Sequence, residues 1–144
     1  MEKQRLESAF VGNGVCAGCH TEIVTFLQKS RHAHAFATLE KEGKHFDPEC
    51  LACHVVGLKP WKAPENASEA DKKFEDSIGF MSLQITPHLK DVQCENCHGP
   101  ARAHLENSKI KPPNKNPKII CVSCHQGSHS PAFNFETYWP KIKH

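Results

Sequence analysis

The chain has 144 residues and a formal net charge of +2, which allows one ordinary domain and gives no support to nucleic-acid binding. Its hydrophobic fraction is 38%, with ten prolines, eight glycines and a mean hydropathy of −0.55. Such a polypeptide has a thin apolar core of its own. No run approaches the ~20 apolar residues of a membrane span, and Met1 to Ser8 lacks the apolar stretch of a signal peptide.

In chain order, the first feature is Cys16-Ala17-Gly18-Cys19-His20. The spacing of Ile23, Phe26, Leu27, Ala33, Phe36, Ala37 and Leu39 then predicts a long helix from about Thr21 to Glu42, ahead of Gly43. Cys50-Leu51-Ala52-Cys53-His54 follows, and residues 59–76 read as a polar surface excursion with a short helix near 67–75. After Cys94-Glu95-Asn96-Cys97-His98 a short helix is expected from Ala101 to Ser108. Residues 107–118 carry Lys109, Lys111, Lys115 and Lys118 with three prolines and no acid, a basic linker. Cys121-Val122-Ser123-Cys124-His125 and an aromatic-rich segment from Phe133 to His144 complete the chain. No strand pair stands out. The expected fold is mainly α with much irregular loop.

The four Cys-x-x-Cys-His motifs hold all eight cysteines. This is the attachment signal for c-type haem: Cys16, Cys19, Cys50, Cys53, Cys94, Cys97, Cys121 and Cys124 would form thioethers, and His20, His54, His98 and His125 would be proximal iron ligands. With 11 histidines in 144 residues, four such placements arise by chance with a probability on the order of 10⁻⁵. Zinc also uses Cys-x-x-Cys pairs but does not explain a histidine after every pair. The motifs begin at residues 16, 50, 94 and 121, too unevenly for a solenoid. Four haem c groups would supply the missing apolar bulk and cross-link the backbone. Their propionates and ferric centres would bring the net charge to roughly −2.

Seven histidines remain: His32, His34, His45, His88, His104, His129 and His144. Two axial imidazoles must oppose each other across a porphyrin with nitrogens ~4 Å apart. On a continuous helix His32 would lie about 18 Å from His20, too far to close that haem. His104 is equally badly placed for the haem of His98. Distal ligands must therefore cross between segments. His32 and His34 cannot face one haem together, being about 200° apart on a helix. His45, His88 and His129 are further candidates. The only methionines are Met1 and Met81, so at most one haem carries His/Met ligation and the set is expected to be mainly bis-histidine and low in potential.

The chain resembles the multihaem cytochrome c family of the tetrahaem cytochrome c-554 type over most of its length. The marks are Gly12 to His20, Ser30-Arg31-His32-Ala33, Cys94-Glu95-Asn96-Cys97-His98-Gly99-Pro100 with the later His104, and Phe133-Asn134-Phe135 before a terminal histidine. The resemblance implies that His32 is distal to the haem of His98 and His104 to the haem of His20, those two haems forming a stacked pair. For the haems of His54 and His125 it leaves His144 first and His88 second, with no assignment between them. It also implies three bis-histidine haems and one five-coordinate haem. Here the segment Gln126 to Ala132 is shorter than its counterpart in the family, which puts the open site in question.

A globule of this length has a radius of gyration near 14–15 Å, so four porphyrins inside it lie close together. The reading is a single tetrahaem domain over residues 1–144, an electron-transfer protein with redox partner proteins, no transmembrane segment and no enzymatic activity. Because c-type haem is attached outside the cytoplasmic membrane, the expected location is periplasmic or extracellular, with the export leader absent or the domain excised from a larger exported protein. Two alternatives stay open. One is reduction of a small nitrogen or sulfur oxide at an open haem, with His45, Lys90 or Arg102 as proton donor or anion binder. The other is a subunit of a larger electron-conducting assembly.

Overall fold

A computed structural model of the chain describes residues 9–144; the N-terminal Met1–Ser8 lies outside the described residues. The fold is a series of short helices joined by irregular loops, with one isolated bridge, Val55 to Lys90, as the β-pairing among the described residues. The helices are α1 (Asn13–Cys16), α2 (Thr21–Gln28), α3 (Ala35–Lys41), α4 (Pro48–Leu51), α5 (Glu69–Lys72), α6 (Cys94–His98), α7 (Arg102–Glu106), α8 (Pro117–Cys124) and α9 (Phe135–Tyr138). None is long and apolar enough to cross a membrane among the described residues.

The long helix predicted from Thr21 to Glu42 is broken. α2 stops at Gln28, a 3₁₀ turn spans Arg31–His34, and α3 begins at Ala35. Ser30 is the cause: its backbone is extended (φ −85°, ψ 164°) and its hydroxyl donates to the Leu27 carbonyl, a local bond that competes with helix continuation. The break turns His32 off the axis of α2. The Asp91 carboxylate then accepts the Phe36 N–H at the start of α3. The helix expected near 67–75 is the four-residue α5, capped by Ser68, and the one expected over 101–108 is α7.

The apolar core lies around the second motif. Ala9, Phe10, Phe36, Leu39, Leu51, Val55, Val56, Phe80 and Leu89 cluster there, with Trp61 and Phe74 against their edge. The excursion over 59–76 is thus tied down by Trp61, whose N–H donates to the Ser77 carbonyl. Gly57 permits the tightest approach: its φ is +68°, and a Cβ there would stand 2.8 Å from the Phe10 ring and 2.9 Å from the Gly79 nitrogen. The rest is different. From Asn114 to His144 no residue is buried.

A polar joint ties the start of the first motif to the third. Asn13 N–H donates to the Gln93 side chain while the Asn13 side chain accepts from Cys94 N–H. Beside it the Glu95 carboxylate accepts backbone N–H bonds from Val11, Gly12 and Ala101 at 2.7–3.0 Å. Gln93 and Asn96 also close a capping box on α6.

Candidate haem sites

Each motif is wound into a helical turn that carries its histidine round from the first cysteine. His20 N–H donates to the Cys16 carbonyl and His125 N–H to the Cys121 carbonyl, both at 2.8 Å; His54 N–H reaches Leu51 at 2.9 Å. α6 spans the third motif whole.

Three of the spare histidines come to stand opposite motif histidines. Ring centroids are 6.4 Å apart for His20 and His104, 6.1 Å for His32 and His125, and 5.8 Å for His98 and His144. Two iron–nitrogen bonds of about 2 Å, plus about 1.2 Å from each nitrogen to its ring centre, separate axial imidazoles by ~6.4 Å. The gaps fit an iron.

The second bond made by these rings points the same way. Nδ1 of His54 meets the Ala35 carbonyl at 2.7 Å, that of His104 the Ile110 carbonyl at 2.7 Å, and that of His144 the Ile142 carbonyl at 3.0 Å. A carbonyl only accepts, so Nδ1 carries the proton and Nε2 keeps a lone pair for a metal. His125 Nδ1 bonds the Ser130 hydroxyl at 2.9 Å, and Phe133 stacks on the ring at 4.8 Å. Burial pushes the pKa of His32, His98 and His125 down, favouring the neutral imidazole that ligation requires.

His104 stands by His20, the partner that the resemblance implies. His32 stands by His125 rather than His98, and His98 faces His144. His88 lines a cavity of about 290 Å³ with Asn13, Gln28, Asp91 and Gln93. His45 packs between Phe36 and Phe46, His34 is exposed, and His129 lies near enough to Cys53 to act on its charge. Among the described residues no second imidazole stands opposite His54. The acceptors Ala35, Ile110 and Ile142 escape sequence reasoning, because a backbone carbonyl leaves no mark in residue type.

The cysteines show how the motifs adjoin. Cys16 adjoins Cys94 and Cys53 adjoins Cys124 closely enough for the thiols to act on each other, while Cys121 acts on Cys97 and Cys97 on Cys124. The attachment points therefore run in space first, third, fourth, second. As free thiols they differ. Cys53 is drawn down to about 6 by the Cys124 thiol and, against its burial, by His54, His129 and Lys59, whereas burial with help from Cys121 pushes Cys97 up to about 11.

Unburied apolar side chains complete the picture. Phe46 is 82% exposed and Ile119 63%, with Val15, Leu105 and Val122 also open, several within or beside the motifs. Such surfaces, and a C-terminal segment folded without buried residues, fit a chain that packs on porphyrin faces. Among the described residues no three His, Cys, Asp or Glu side chains gather as a zinc site needs.

Four attachment motifs with facing imidazole pairs define a multihaem c-type cytochrome. Residues 15–99 match the family model described as cytochrome c554 and c-prime, and the chain belongs to that family. It is 28% identical over 111 residues to cytochrome c-554 of Nitrosomonas europaea, an alignment covering 67% of this chain and 40% of that protein. The chain thus spans well under two thirds of that relative's length. Its fold is similar to the reduced state of cytochrome c554 from the same organism, at a TM-score of 0.54 and 21% identity, over 93% of this chain and 78% of that one. The cofactor is haem c, one group for each of the four motifs.

Proposed function

We propose that the chain is an exported electron-transfer protein of a respiratory chain, working through four closely placed and mainly bis-histidine, low-potential haems. The carrying observation is the set of three histidine pairs at iron-spanning distance. His104 would close the haem of His20, His32 that of His125, and His144 that of His98; the eight motif cysteines would hold the porphyrins. When bound, each haem supplies a one-electron Fe(III)/Fe(II) couple. One imidazole of each pair is held in place, His104 by Ile110, His144 by Ile142 and His125 by Ser130 and Phe133, so a change of oxidation state asks little movement of these rings. The contiguous order of attachment points supports passage from one end to the other. Exposed Lys109, Lys111, Lys115 and Lys118, between the third and fourth motifs, suit an acidic redox partner. Haem attachment itself supports a periplasmic or extracellular location.

A redox titration of the holoprotein tests this reading. Four reversible one-electron steps at low potential are expected; fewer steps, or a dominant high-potential couple, contradict it.

A second reading has one observation behind it. His54 has no imidazole opposite among the described residues, which leaves a coordination position for a small ligand such as a nitrogen oxide. His45 is then the titratable ring packed nearest in chain to that motif, with its Nδ1 buried and without a hydrogen-bond partner. Ligand binding followed by turnover, rather than binding alone, distinguishes an enzyme from a carrier with an open haem.

A further inference from the structure

Glu95 stands out among the buried groups that ligation does not use. It is 3% exposed, yet it sits between the two cysteines of the third motif. Its Oε1 accepts from Val11 and Gly12 N–H, its Oε2 from Val11 and Ala101 N–H. Burial pushes its carboxyl pKa up on balance, and the backbone N–H groups of Gly12, Ala101 and Val11, followed by the Arg102 charge, offset part of that rise. Both oxygens face donors and neither faces an acceptor for a proton. The cradle is therefore built for the carboxylate, a buried charge held mainly by neutral N–H dipoles, with the Arg102 charge a smaller influence.

The position of this charge is specific. Glu95 acts electrostatically on both Cys16 and Cys94, the adjoining thiols of the first and third motifs. The other end of the row has no such buried charge: exposed groups of both signs stand there, Lys59 and His129 about Cys53, and Asp47, Glu49 and Lys44 about Cys50, where water screens them. A buried anion favours Fe(III) over Fe(II) at nearby haems, because the ferric centre carries one more positive charge.

We infer that Glu95 is a fixed anion that holds the haems of the first and third motifs at lower potential than those of the second and fourth, giving the row of haems a direction. Electrons enter at the first and third motifs and leave toward the fourth and second. Each step is a one-electron exchange in which one iron is oxidised as its neighbour is reduced. The inference rests on the electron-transfer reading above and adds polarity to it. Glu95 is a positioning residue for charge and not a ligand.

The test follows reduction haem by haem in the native holoprotein at neutral pH, using NMR of assigned haem methyl groups. The haems on Cys16/Cys19 and Cys94/Cys97 should be the last two reduced. In Glu95→Gln the midpoints of those two rise while the other two hold, and Glu95→Asp, which keeps the charge, retains the native order. Reduction of the first and third haems before the others overturns the inference. So does an equal shift of all four in Glu95→Gln, or no shift, or an Asp variant that behaves as Gln does. If Glu95→Gln fails to mature, the native order decides. Four reversible steps in the wrong order defeat this polarity alone, whereas the absence of four reversible steps defeats the electron-transfer reading with it.

Discussion

His32 and His125 hold their ring centres 6.1 Å apart, though one follows the first motif and the other ends the fourth. An iron between them would join the 3₁₀ turn after α2 to the end of α8. The other two pairs likewise join α2 to α7 and α6 to the C-terminus. Each haem would then be a cross-link between distant segments as well as a redox centre.

Removing one distal imidazole should open one haem. His104→Ala, His32→Ala and His144→Ala are each expected to convert one low-spin ferric haem to high spin, seen in the EPR spectrum of the oxidised protein. His34→Ala, at an exposed position in the same turn as His32, should leave the spectrum as in the native protein. A silent His104→Ala would detach His104 from any ligand role.

The haem held by His54 should bind an added ligand. Cyanide is expected to shift the Soret band with a stoichiometry of one per protein. In His104→Ala the stoichiometry should rise to two. Native protein that binds none would mean that His54 has a partner from elsewhere.

Gly57→Ala should destabilise the holoprotein by about 2–3 kcal/mol, combining positive-φ strain with overpacking against Phe10 and Gly79. Gly43→Ala is the control. It shares the φ of +68° but has open space around it, so only about 1 kcal/mol is expected. Chemical denaturation followed by far-UV circular dichroism measures both.

The chain without haem should lack a cooperative fold. Among the described residues the apolar cluster surrounds the second motif, and residues 114–144 bury nothing. A thermal scan of unhaemed protein should show no sigmoidal transition. A sharp one would mean that the polypeptide core suffices.

The haem cofactor was legible in the sequence because its attachment signal is local: two thiols and an imidazole within five residues, wound into one turn. Helical class and the short helices near 67–75 and 101–108 were legible for the same reason. Distal pairing was not. Whether His32 faces His98 or His125 depends on the turn at Ser30, whose extended backbone and hydroxyl bond to Leu27 apolar periodicity does not register. Apolar periodicity from Ile23 to Leu39 also overstated helix continuity, because a chain that packs on porphyrins exposes apolar residues which a protein-only core would hide. Phe46 and Ile119 show the effect. The resemblance implied His104 for His20, the pair that stands at 6.4 Å, and His32 for His98, where the structure instead sets His32 by His125 and His144 by His98.

The account stands most directly on the ligation state of the four irons. EPR spin quantitation of the fully oxidised native holoprotein should give three low-spin ferric haems and one high-spin haem. Two or more high-spin haems, or four low-spin ones, would contradict it.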